Sequence, residues 1–540
     1  MDRSQTHFRR DFLKLAALSG AAGIAGPGAS VDAKDRLLID DAGHAGRSSP
    51  ELSFLKTSGR QIVDGNGKVM RLRGVCVGGW MNMEDFINGH PGAEHTLRAE
   101  MSDALGPAKA HFFFERLLDH FFNEDDVIFL RRTGANVVRL PLNYRHFEDD
   151  ISPFTYKEAG FARLDQVLRW CEKHRLYVIL DLHAAQGWQN AHWHCDNASR
   201  ISLLWENRTY QDRFVALWQE FARRYKNFTV VAGYNILNEP CTNNPRGDYP
   251  WNISRNYRPD WGSINSLYKR TVSQIRKIDD RHIIFLEGDN YSSLFQGLDA
   301  PFAESLVYSS HNYTAAGFGP GRYPGAVKSR PTAETATEQW DMAKQEAAFN
   351  LAQGTAFTRK HDVPLWIGEF GAPYNGASSE LDDRYRALDD QIDVFERYRV
   401  SWTTWTYKDV GVMGMQTLHP NSPYMALIRD LLGKKAAVGA DDWMSWLPGT
   451  PVKDATASLA GQIRTAIGDP RIDARMNVRC LSQALLCFYT GTLMQPLYVR
   501  LFKGLSENDL DKTLSSFSIR QCVPNERLVS IMSKHMTMPA

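Results

Sequence analysis

The chain has 540 residues, of which 43% are hydrophobic and 23% are charged. This is the composition of a globular protein, and the length allows one large barrel with an appendage or several smaller domains. With 63 basic and 62 acidic residues the formal net charge is +1, which gives no electrostatic reason to expect nucleic acid or an anionic membrane as a partner.

The amino-terminal segment has the pattern of an export signal. Arg9 and Arg10 precede a mildly apolar stretch that is rich in Gly and Ala. This order is similar to a twin-arginine signal, which carries folded proteins out of the cytoplasm; the alternative is a disordered basic tail. We predict that residues 1–33 direct the protein to the periplasm or the medium. Residues 34–58 are polar, and we predict a linker.

From residue 59 onward, short apolar runs alternate with segments of helical periodicity. The apolar runs are 72–78, 136–140, 177–183, 233–237, 282–287, 306–311, 365–369 and 402–407. Eight strand–helix units predict an α/β fold, a (β/α)8 TIM barrel over residues 59–436. A doubly wound open sheet is the rival, but the first run is not followed by the Gly-rich turn that such folds use to bind phosphate.

The pattern of predicted secondary structure changes in residues 437–540. Helix-like runs dominate there, and the alternation of strands and helices ends. The runs lie at 454–467, 473–490, 509–515 and 525–535. We predict a helical C-terminal appendage, whose role the sequence does not show. Residues 481–499 lack charge, so contact with a membrane is an alternative, although the Gln, Thr, Gly and Pro among them favour helices packed on the barrel.

Two glutamates stand at the ends of strand-like runs. Glu239 closes the run after Tyr234 and precedes a proline, and Glu369 closes the run after Leu365 and precedes Phe-Gly. The carboxyl ends of barrel strands meet at one rim, where catalytic groups lie. Most enzymes that hydrolyse a glycosidic bond use a pair of carboxyl groups. The pair therefore predicts a glycosidase.

Other polar and aromatic residues follow the same predicted strands. Each one alone has a structural interpretation, since a single Arg often pairs with a structural carboxylate and a single His or Trp is often packing. Together at one rim they favour a substrate site. These residues are Arg139, Asp181, His183, Asn238, His311, Tyr313 and Trp405.

Over residues 60–430 the chain resembles glycoside hydrolase family 5, the cellulase family. The residues that carry the resemblance are, in order, Arg139, His183, Asn238, Glu239, Pro240, His311, Tyr313, Glu369 and Trp405. The resemblance implies a retaining enzyme on a (β/α)8 barrel that needs no metal or other cofactor and takes a carbohydrate or glycoside substrate. The segments before and after this range lie outside the resemblance.

The resemblance also implies roles for the two glutamates and their neighbours. Glu239 would be the acid/base, and Asn238 would bond the sugar 2-hydroxyl. Glu369 would be the nucleophile, kept ionised by Arg139 and hydrogen-bonded by Tyr313. His183 and His311 would tune Glu239 and bind hydroxyls, and Trp405 would form the floor under the reacting sugar.

The loop after the third predicted strand, residues 186–196, is rich in His and aromatic residues. We favour a substrate loop in which Trp188 and Trp193 stack on sugars. The alternative is a metal site. Its ligands would be His192, His194, Cys195 and Asp196.

The seven cysteines show neither a Cys-x-x-Cys pair nor zinc-ligand spacing. Cys195 and Cys241 fall in loops at the same end of the predicted barrel. A disulfide between them is one alternative, and free buried thiols are the other.

Long predicted rim loops favour a pocket over an open cleft, and therefore removal of terminal sugars or cleavage of short glycosides. The leading hypothesis is a secreted retaining hydrolase that cleaves β-glucosidic bonds in β-glucans, oligosaccharides or β-glucosides. One alternative is a glycolipid-directed β-glycosidase whose apolar tail recognises the aglycone. Another is a non-catalytic carbohydrate-binding barrel, against which the intact Glu239 and Glu369 argue.

Overall fold

Eight parallel strands close into a barrel. The computed structural model describes residues 51–242, 257–319, 321–328, 337–376, 378–441 and 449–540. The barrel strands, numbered here in chain order, are β1 (Arg73–Cys76), β2 (Val137–Asn143), β3 (Tyr177–Ala184), β4 (Val231–Asn235), β5 (Ile283–Glu287), β6 (Leu306–His311), β7 (Leu365–Glu369) and β8 (Ser401–Thr404). β8 closes the barrel by pairing with β1. The predicted (β/α)8 barrel is confirmed.

The strands are almost continuously apolar because both of their faces are buried. In β3, Tyr177 and Ile179 belong to the cluster that fills the barrel. The alternating Val178 and Leu180 belong to the cluster shared with the surrounding helices. This period of two leaves only the carboxyl ends of the strands free to carry polar groups.

Helices pack around the barrel and over its ends. Before the tail they are Asp85–Asn88, Glu94–Leu105, Pro107–Phe121, Glu124–Arg132, Glu158–Lys173, Arg208–Tyr225, Trp261–Arg276, Asp289–Ser292, Ala315–Phe318, Met342–Leu351, Gln353–His361, Ser378–Arg397 and Pro423–Val438. Asn123 begins Glu124–Arg132 with a capping box that satisfies its first N–H groups. The connection from β5 to β6 holds only the short helix Asp289–Ser292.

A small antiparallel sheet precedes the barrel, formed by Lys56–Ser58, Gln61–Val63 and Val69–Met70. Leu55 is buried against residues of the barrel interior, and Tyr177 donates a hydrogen bond to the Ser53 carbonyl at 2.9 Å. The compact unit therefore begins at Leu52, inside the segment predicted as a linker, because its few apolar residues are used for packing. The predicted export signal, residues 1–33, lies outside the described residues.

The tail is helical, as predicted. Its helices are Pro451–Ile467, Ala474–Ser482, Gly491–Arg500, Glu507–Leu514 and Glu526–Met536, with a π-helical segment at Gln483–Thr490. The strand Cys522–Pro524, which the sequence did not predict, pairs with Gln416–Leu418. In the described part of the chain, no helix has both the length and the apolar composition needed to cross a bilayer.

Buried polar groups join the tail to the barrel. The Lys408 ammonium, completely buried, pairs with Asp126 at 2.7 Å and donates to the Phe517 carbonyl of the tail at 2.7 Å. Near the other end of the barrel, the Arg73 guanidinium pairs with Glu396 at 2.6 Å and donates to the Met538 carbonyl at 2.5 Å. The tail and the barrel thus lie in one compact unit.

Candidate active site

The two glutamates meet at the rim, as the strand pattern predicts. Glu369 is the last residue of β7, and Glu239 follows β4 by four positions. A carboxylate oxygen of each and a ring nitrogen of His311 lie within 4.8 Å of one another. Glu239 has a φ of 45°, a conformation that is uncommon for a residue with a Cβ. Its N–H donates to Glu287 at 2.8 Å, and its carbonyl accepts from Asn190 at 2.9 Å. These two hydrogen bonds hold the backbone of Glu239 in this conformation.

Glu369 is held by two donors. Nη1 of Arg139 lies 2.5 Å from Oε1, and the Tyr313 hydroxyl donates to Oε2 at 2.9 Å. The residue is only 5% exposed. A guanidinium and a hydroxyl on its two oxygens stabilise the negative charge and fix the direction of the carboxylate.

Arg139 is fully buried on β2 and connects several of these groups. Its Nη2 donates to Asn238 at 2.7 Å and lies 3.2 Å from both Glu287 and Asp181. Burial disfavours the guanidinium charge, but the carboxylates of Asp181 and Glu369 overcome that effect, so the pKa of Arg139 is raised well above its usual value. The cation is therefore permanent.

His311 lies between the two glutamates. Its Nδ1 is 2.7 Å from Oε1 of Glu239 and 3.6 Å from Oε2 of Glu369, and its Nε2 is 3.5 Å from Glu287. Burial lowers the pKa of His311, but the Glu369 and Glu287 carboxylates reverse this and raise it well above its usual value. In return, although burial acts in the other direction, His311 helps to lower the pKa of Glu287 to about 2.

His183 and Trp405 form a second part of the site. The His183 ring stacks on the Trp405 ring, with centroids 5.3 Å apart and planes 9° apart. Its Nδ1 lies 2.7 Å from Asp181 and its Nε2 lies 3.3 Å from the Asn238 amide. Burial lowers the pKa of His183 to about 4, so this imidazole is neutral. Among the predicted residues, the direct imidazole partner of Glu239 is therefore His311 and not His183.

The loop after β3 contributes a further imidazole to the site. Nε2 of His194 lies 3.4 Å from Oε2 of Glu239. Asp196 instead pairs with His95 at 2.9 Å and Arg145 at 3.1 Å. Within the described ranges, the groups close enough to share a cation are Glu239–His311–Glu369 and Asp389–Asp393–His535. His192, His194, Cys195 and Asp196 are not among these groups.

The disulfide alternative is wrong, because both thiols are free. Cys195 and Cys241 are buried and unbonded to each other. The Cys195 thiol lies 3.0 Å from the His192 carbonyl, and the Cys241 thiol lies 3.4 Å from the Tyr257 hydroxyl. Each thiol behaves as a small buried group with a weak hydrogen bond.

A cavity of about 280 Å³ opens onto the two glutamates. Its lining residues are Glu84, His183, His192, Trp193, His194, Glu239, Tyr291, Tyr313, Phe318, Glu369, Trp405, Met413, Arg479 and Gln483. Trp193 faces this cavity as predicted. Trp188 does not line it, since its ring packs beside His95 with centroids 5.9 Å apart. Arg139, Asn238 and His311 are not lining residues but contact the side chains that are.

Four residues with carboxyl, guanidinium or amide side chains at the site were not predicted. Glu287 is the last residue of β5. The pattern that predicted Glu369, a glutamate at the end of an apolar strand, therefore applied to Glu287 as well. Glu84 lies in the loop after β1, where burial and the nearby Glu369 carboxylate raise its pKa well above its usual value. Arg479 and Gln483 come from the tail, and no pattern in the sequence connects them with the rim.

Residues 113–411 match the family model described as Cellulase (glycosyl hydrolase family 5). A beta-xylosidase of Phanerodontia chrysosporium is 35% identical over 504 residues, which cover 91% of this chain and 99% of that protein. The chain belongs to glycoside hydrolase family 5. It is accordingly an O-glycosyl hydrolase, a retaining β-glycosidase.

Other family 5 relatives cover less of the chain. Endoglucanase C of Acetivibrio thermocellus is 28% identical over 327 residues, covering 56% of this chain and 86% of that protein. A probable glucan 1,3-beta-glucosidase A of Emericella nidulans is 24% identical over 396 residues, covering 67% of this chain and 91% of that protein. The match to the beta-xylosidase covers 91% of the chain, more than the barrel alone contains, so it extends into the tail.

The distance between the two glutamates fits a retaining family. Retaining glycosidases hold their carboxyl groups about 5–5.5 Å apart, whereas inverting enzymes leave about 6.5–9.5 Å for a water molecule. One oxygen of Glu239 and one of Glu369 lie within 4.8 Å of each other, which is closer than the spacing of an inverting pair. Direct attack by one carboxylate on the sugar is therefore the chemistry that this geometry supports.

Proposed function

We propose that the protein is an exo-acting β-glycosidase that removes a terminal sugar, xylose or glucose, from short β-linked saccharides and glycosides. The observation that carries the proposal is the small cavity of about 280 Å³ over Glu239 and Glu369. Ligand sites commonly occupy about 300–1,000 Å³. A cavity just below this range suits one sugar and the start of its neighbour.

In the proposed mechanism Glu369 attacks the anomeric carbon while Glu239 gives its proton to the leaving oxygen. The bond to the leaving group breaks and a covalent glycosyl-enzyme forms. Glu239, now a carboxylate, takes a proton from water, whose oxygen displaces Glu369 and releases the sugar with its configuration retained. Arg139 and Tyr313 hold Glu369 throughout, since both already donate to it.

The surrounding residues support these two steps. Because His311 occupies Oε1 of Glu239 at 2.7 Å, the proton for the leaving oxygen belongs on Oε2. Asn238 accepts from Arg139 through its oxygen, and its amide nitrogen contacts His183 at 3.3 Å, which leaves one amide N–H to bond the sugar 2-hydroxyl. The Trp405 ring, backed by His183, offers a flat apolar face to the sugar.

The sequence alternatives have less support. A non-catalytic binding barrel has no need for a pair of glutamates held with partners on each carboxylate. A glycolipid-directed enzyme was suggested by the uncharged run 481–499, but Leu486, Met494 and Val499 of this run are buried in the fold. Its apolar character is largely explained by packing.

Product analysis tests the proposal. The purified enzyme is incubated with 4-nitrophenyl β-xyloside and β-glucoside, β-linked xylose and glucose dimers, and xylan and β-glucans, with Glu369→Gln as the control. Since the near full-length relative is a beta-xylosidase, β-xylosides are the first candidates. We expect a monosaccharide as the first product, released as the β-anomer. Longer oligomers as the first products from a polymer would contradict exo action.

We further propose export through the twin-arginine route, on the basis of Arg9 and Arg10 before the apolar stretch. Fractionation of a bacterial host that has this route would place the native chain outside the cytoplasm. Replacement of both residues by lysine would retain it inside, and an unchanged distribution would contradict the proposal.

A further inference from the structure

The tail supplies two polar side chains to the wall of the active-site cavity. Arg479, on the helix Ala474–Ser482, and Gln483, in the segment that follows, both line it. Nε of Arg479 and Oε1 of Gln483 are buried and have no hydrogen-bond partner in the described structure, and Gln483 is only 3% exposed. Buried polar groups are normally hydrogen-bonded. Two unpartnered groups on one cavity wall therefore point to a ligand that provides the partners.

These groups lie on the Glu239 side of the cavity. His194, which approaches Oε2 of Glu239 at 3.4 Å, packs against His192 with ring centroids 5.6 Å apart, and His192 packs against Tyr291 at 5.1 Å. Burial lowers the pKa of His192, and the nearby charge of Arg479 adds to this effect. Arg479 and Gln483 line the same cavity as His192, His194 and Tyr291, so they belong to the wall that begins at Glu239.

Gln483 follows Arg479 by four positions, which places it on the same helical face. In the proposed function Glu239 gives its proton to the leaving oxygen, so the leaving group lies on this side. We propose that Arg479 and Gln483 bind the leaving group and that this group is a sugar unit. The inference rests on the proposed function and names the part of the substrate that the tail recognises.

The chemistry of the pair suits a sugar. The guanidinium only donates hydrogen bonds, whereas Oε1 of Gln483 only accepts them. A sugar hydroxyl does both, and neighbouring hydroxyls present an acceptor and a donor within reach of two adjacent side chains. An alkyl or lipid leaving group has no hydroxyls there and would leave both protein groups unpaired at a cost in binding.

The wall is anchored to the barrel, so the binding site is formed before the substrate arrives. Nε2 of Gln495 donates to the carbonyls of Pro91 and Ala93 at 3.0 Å each. The hydroxyls of Tyr498 and Tyr424 are hydrogen-bonded at 2.7 Å. A preorganised wall contributes its hydrogen bonds without first paying the entropy of ordering a loop.

A comparison of two leaving groups on one terminal sugar tests the inference. The substrates are the β-linked disaccharide that the native enzyme cleaves best and the 4-nitrophenyl glycoside of the same terminal sugar. Arg479→Met and Gln483→Leu keep the approximate shape and remove the polar groups. We expect each variant to lose about 10- to 100-fold in kcat/KM on the disaccharide and to stay within about threefold on the nitrophenyl glycoside, which has no hydroxyl on its leaving group.

Matched controls are Arg500→Met and Gln462→Leu, which change exposed residues of the tail and leave both activities unchanged. Activity on the nitrophenyl glycoside also reports that each variant is folded. Equal losses on both substrates, or no loss on either, would overturn the inference, as would a native enzyme that cleaves only the aryl glycoside. Failure of the proposed function looks different, because the native enzyme would then release longer oligomers first from a polymer, or no sugar from any β-glycoside.

Discussion

The backbone N–H of Glu239 donates to Oε2 of Glu287 at 2.8 Å, so the carboxylate that ends β5 holds the residue that follows β4. Glu287 also faces Arg139 at 3.2 Å and His311 at 3.5 Å through Oε1. One buried carboxylate therefore fixes the backbone of the proposed acid/base, Glu239. It also neutralises part of the positive charge of Arg139 and His311. Glu287 is a positioning residue, since it does not line the cavity.

Glu287→Gln should lower kcat/KM by about 10- to 100-fold, the range expected when a hydrogen bond to a charged group is lost. The loss should grow as pH rises from about 5 to 8. The reason is that the Glu287 carboxylate helps to raise the pKa of His311, so the variant loses the His311 proton at lower pH. Activity profiles against pH check this, with the exposed Glu304→Gln as the control. A loss that is uniform across pH would indicate a purely structural role.

Glu369→Ala should reduce activity on every β-glycoside by about 10⁴-fold or more, because the covalent step has no other carboxylate to perform it. Added azide fills the space of the carboxylate and attacks the same carbon, so an activated glycoside should yield the glycosyl azide of inverted configuration. The product is identified by NMR. An azide product with retained configuration would assign the nucleophile to another residue.

Glu239→Ala should distinguish substrates by their leaving groups. A 2,4-dinitrophenyl glycoside needs no proton at the departing oxygen, so its glycosylation step should stay fast, while a disaccharide should become almost inert. Because no base then activates water, the glycosyl-enzyme should accumulate and give a burst of dinitrophenol. Rapid-mixing kinetics and intact-protein mass measure both effects. Equal losses on the two substrates, without a burst, would speak against the assignment.

His311 should stabilise the fold in a pH-dependent way. Its folded pKa is raised well above the usual value by the carboxylates around it, against about 6.5 for an unfolded histidine. Its contribution is therefore complete below pH 6.5 or so and is lost as pH rises through the folded pKa. The difference in unfolding free energy between the native chain and His311→Gln should be larger at about pH 6 than at about pH 9. The exposed His419→Gln provides the control, and a difference that widens with pH would contradict the sign.

Lys408→Met should destabilise the protein by about 3–5 kcal/mol, the usual cost of leaving one member of a buried ion pair alone. Both Lys408 and Asp126 are fully buried, and the lysine also donates to the Phe517 carbonyl of the tail. Urea denaturation monitored by tryptophan fluorescence measures the change, with the exposed Lys503→Met as the comparison. A change below about 1 kcal/mol, the size of a surface pair, would show that the buried contacts of Lys408 with Asp126 and with the tail contribute little to the stability of the fold.

Much of the reaction centre follows from periodicity in the sequence. The strand runs place Glu369 at the end of β7 and Glu239 just beyond β4, and the closure of the barrel then brings both to one rim. Glu287 ends a predicted strand in the same way, so the rule applied to Glu369 would also have found it. Trp188 shows the limit of the rule, because a loop residue has no periodic constraint on its direction and this one packs beside His95.

The sequence by itself determined the barrel and the carboxylate pair, because a buried strand exposes polar groups only at its ends and the spacing of strands fixes which ends coincide. Only the tertiary structure decided that the tail completes the cavity. Arg479 lies more than a hundred positions from Glu369, and their approach depends on side-chain packing such as the hydrogen bonds of Gln495 to the loop after β1. Contacts of this kind leave no period in the sequence, since they join surfaces whose complementarity exists only after both have folded.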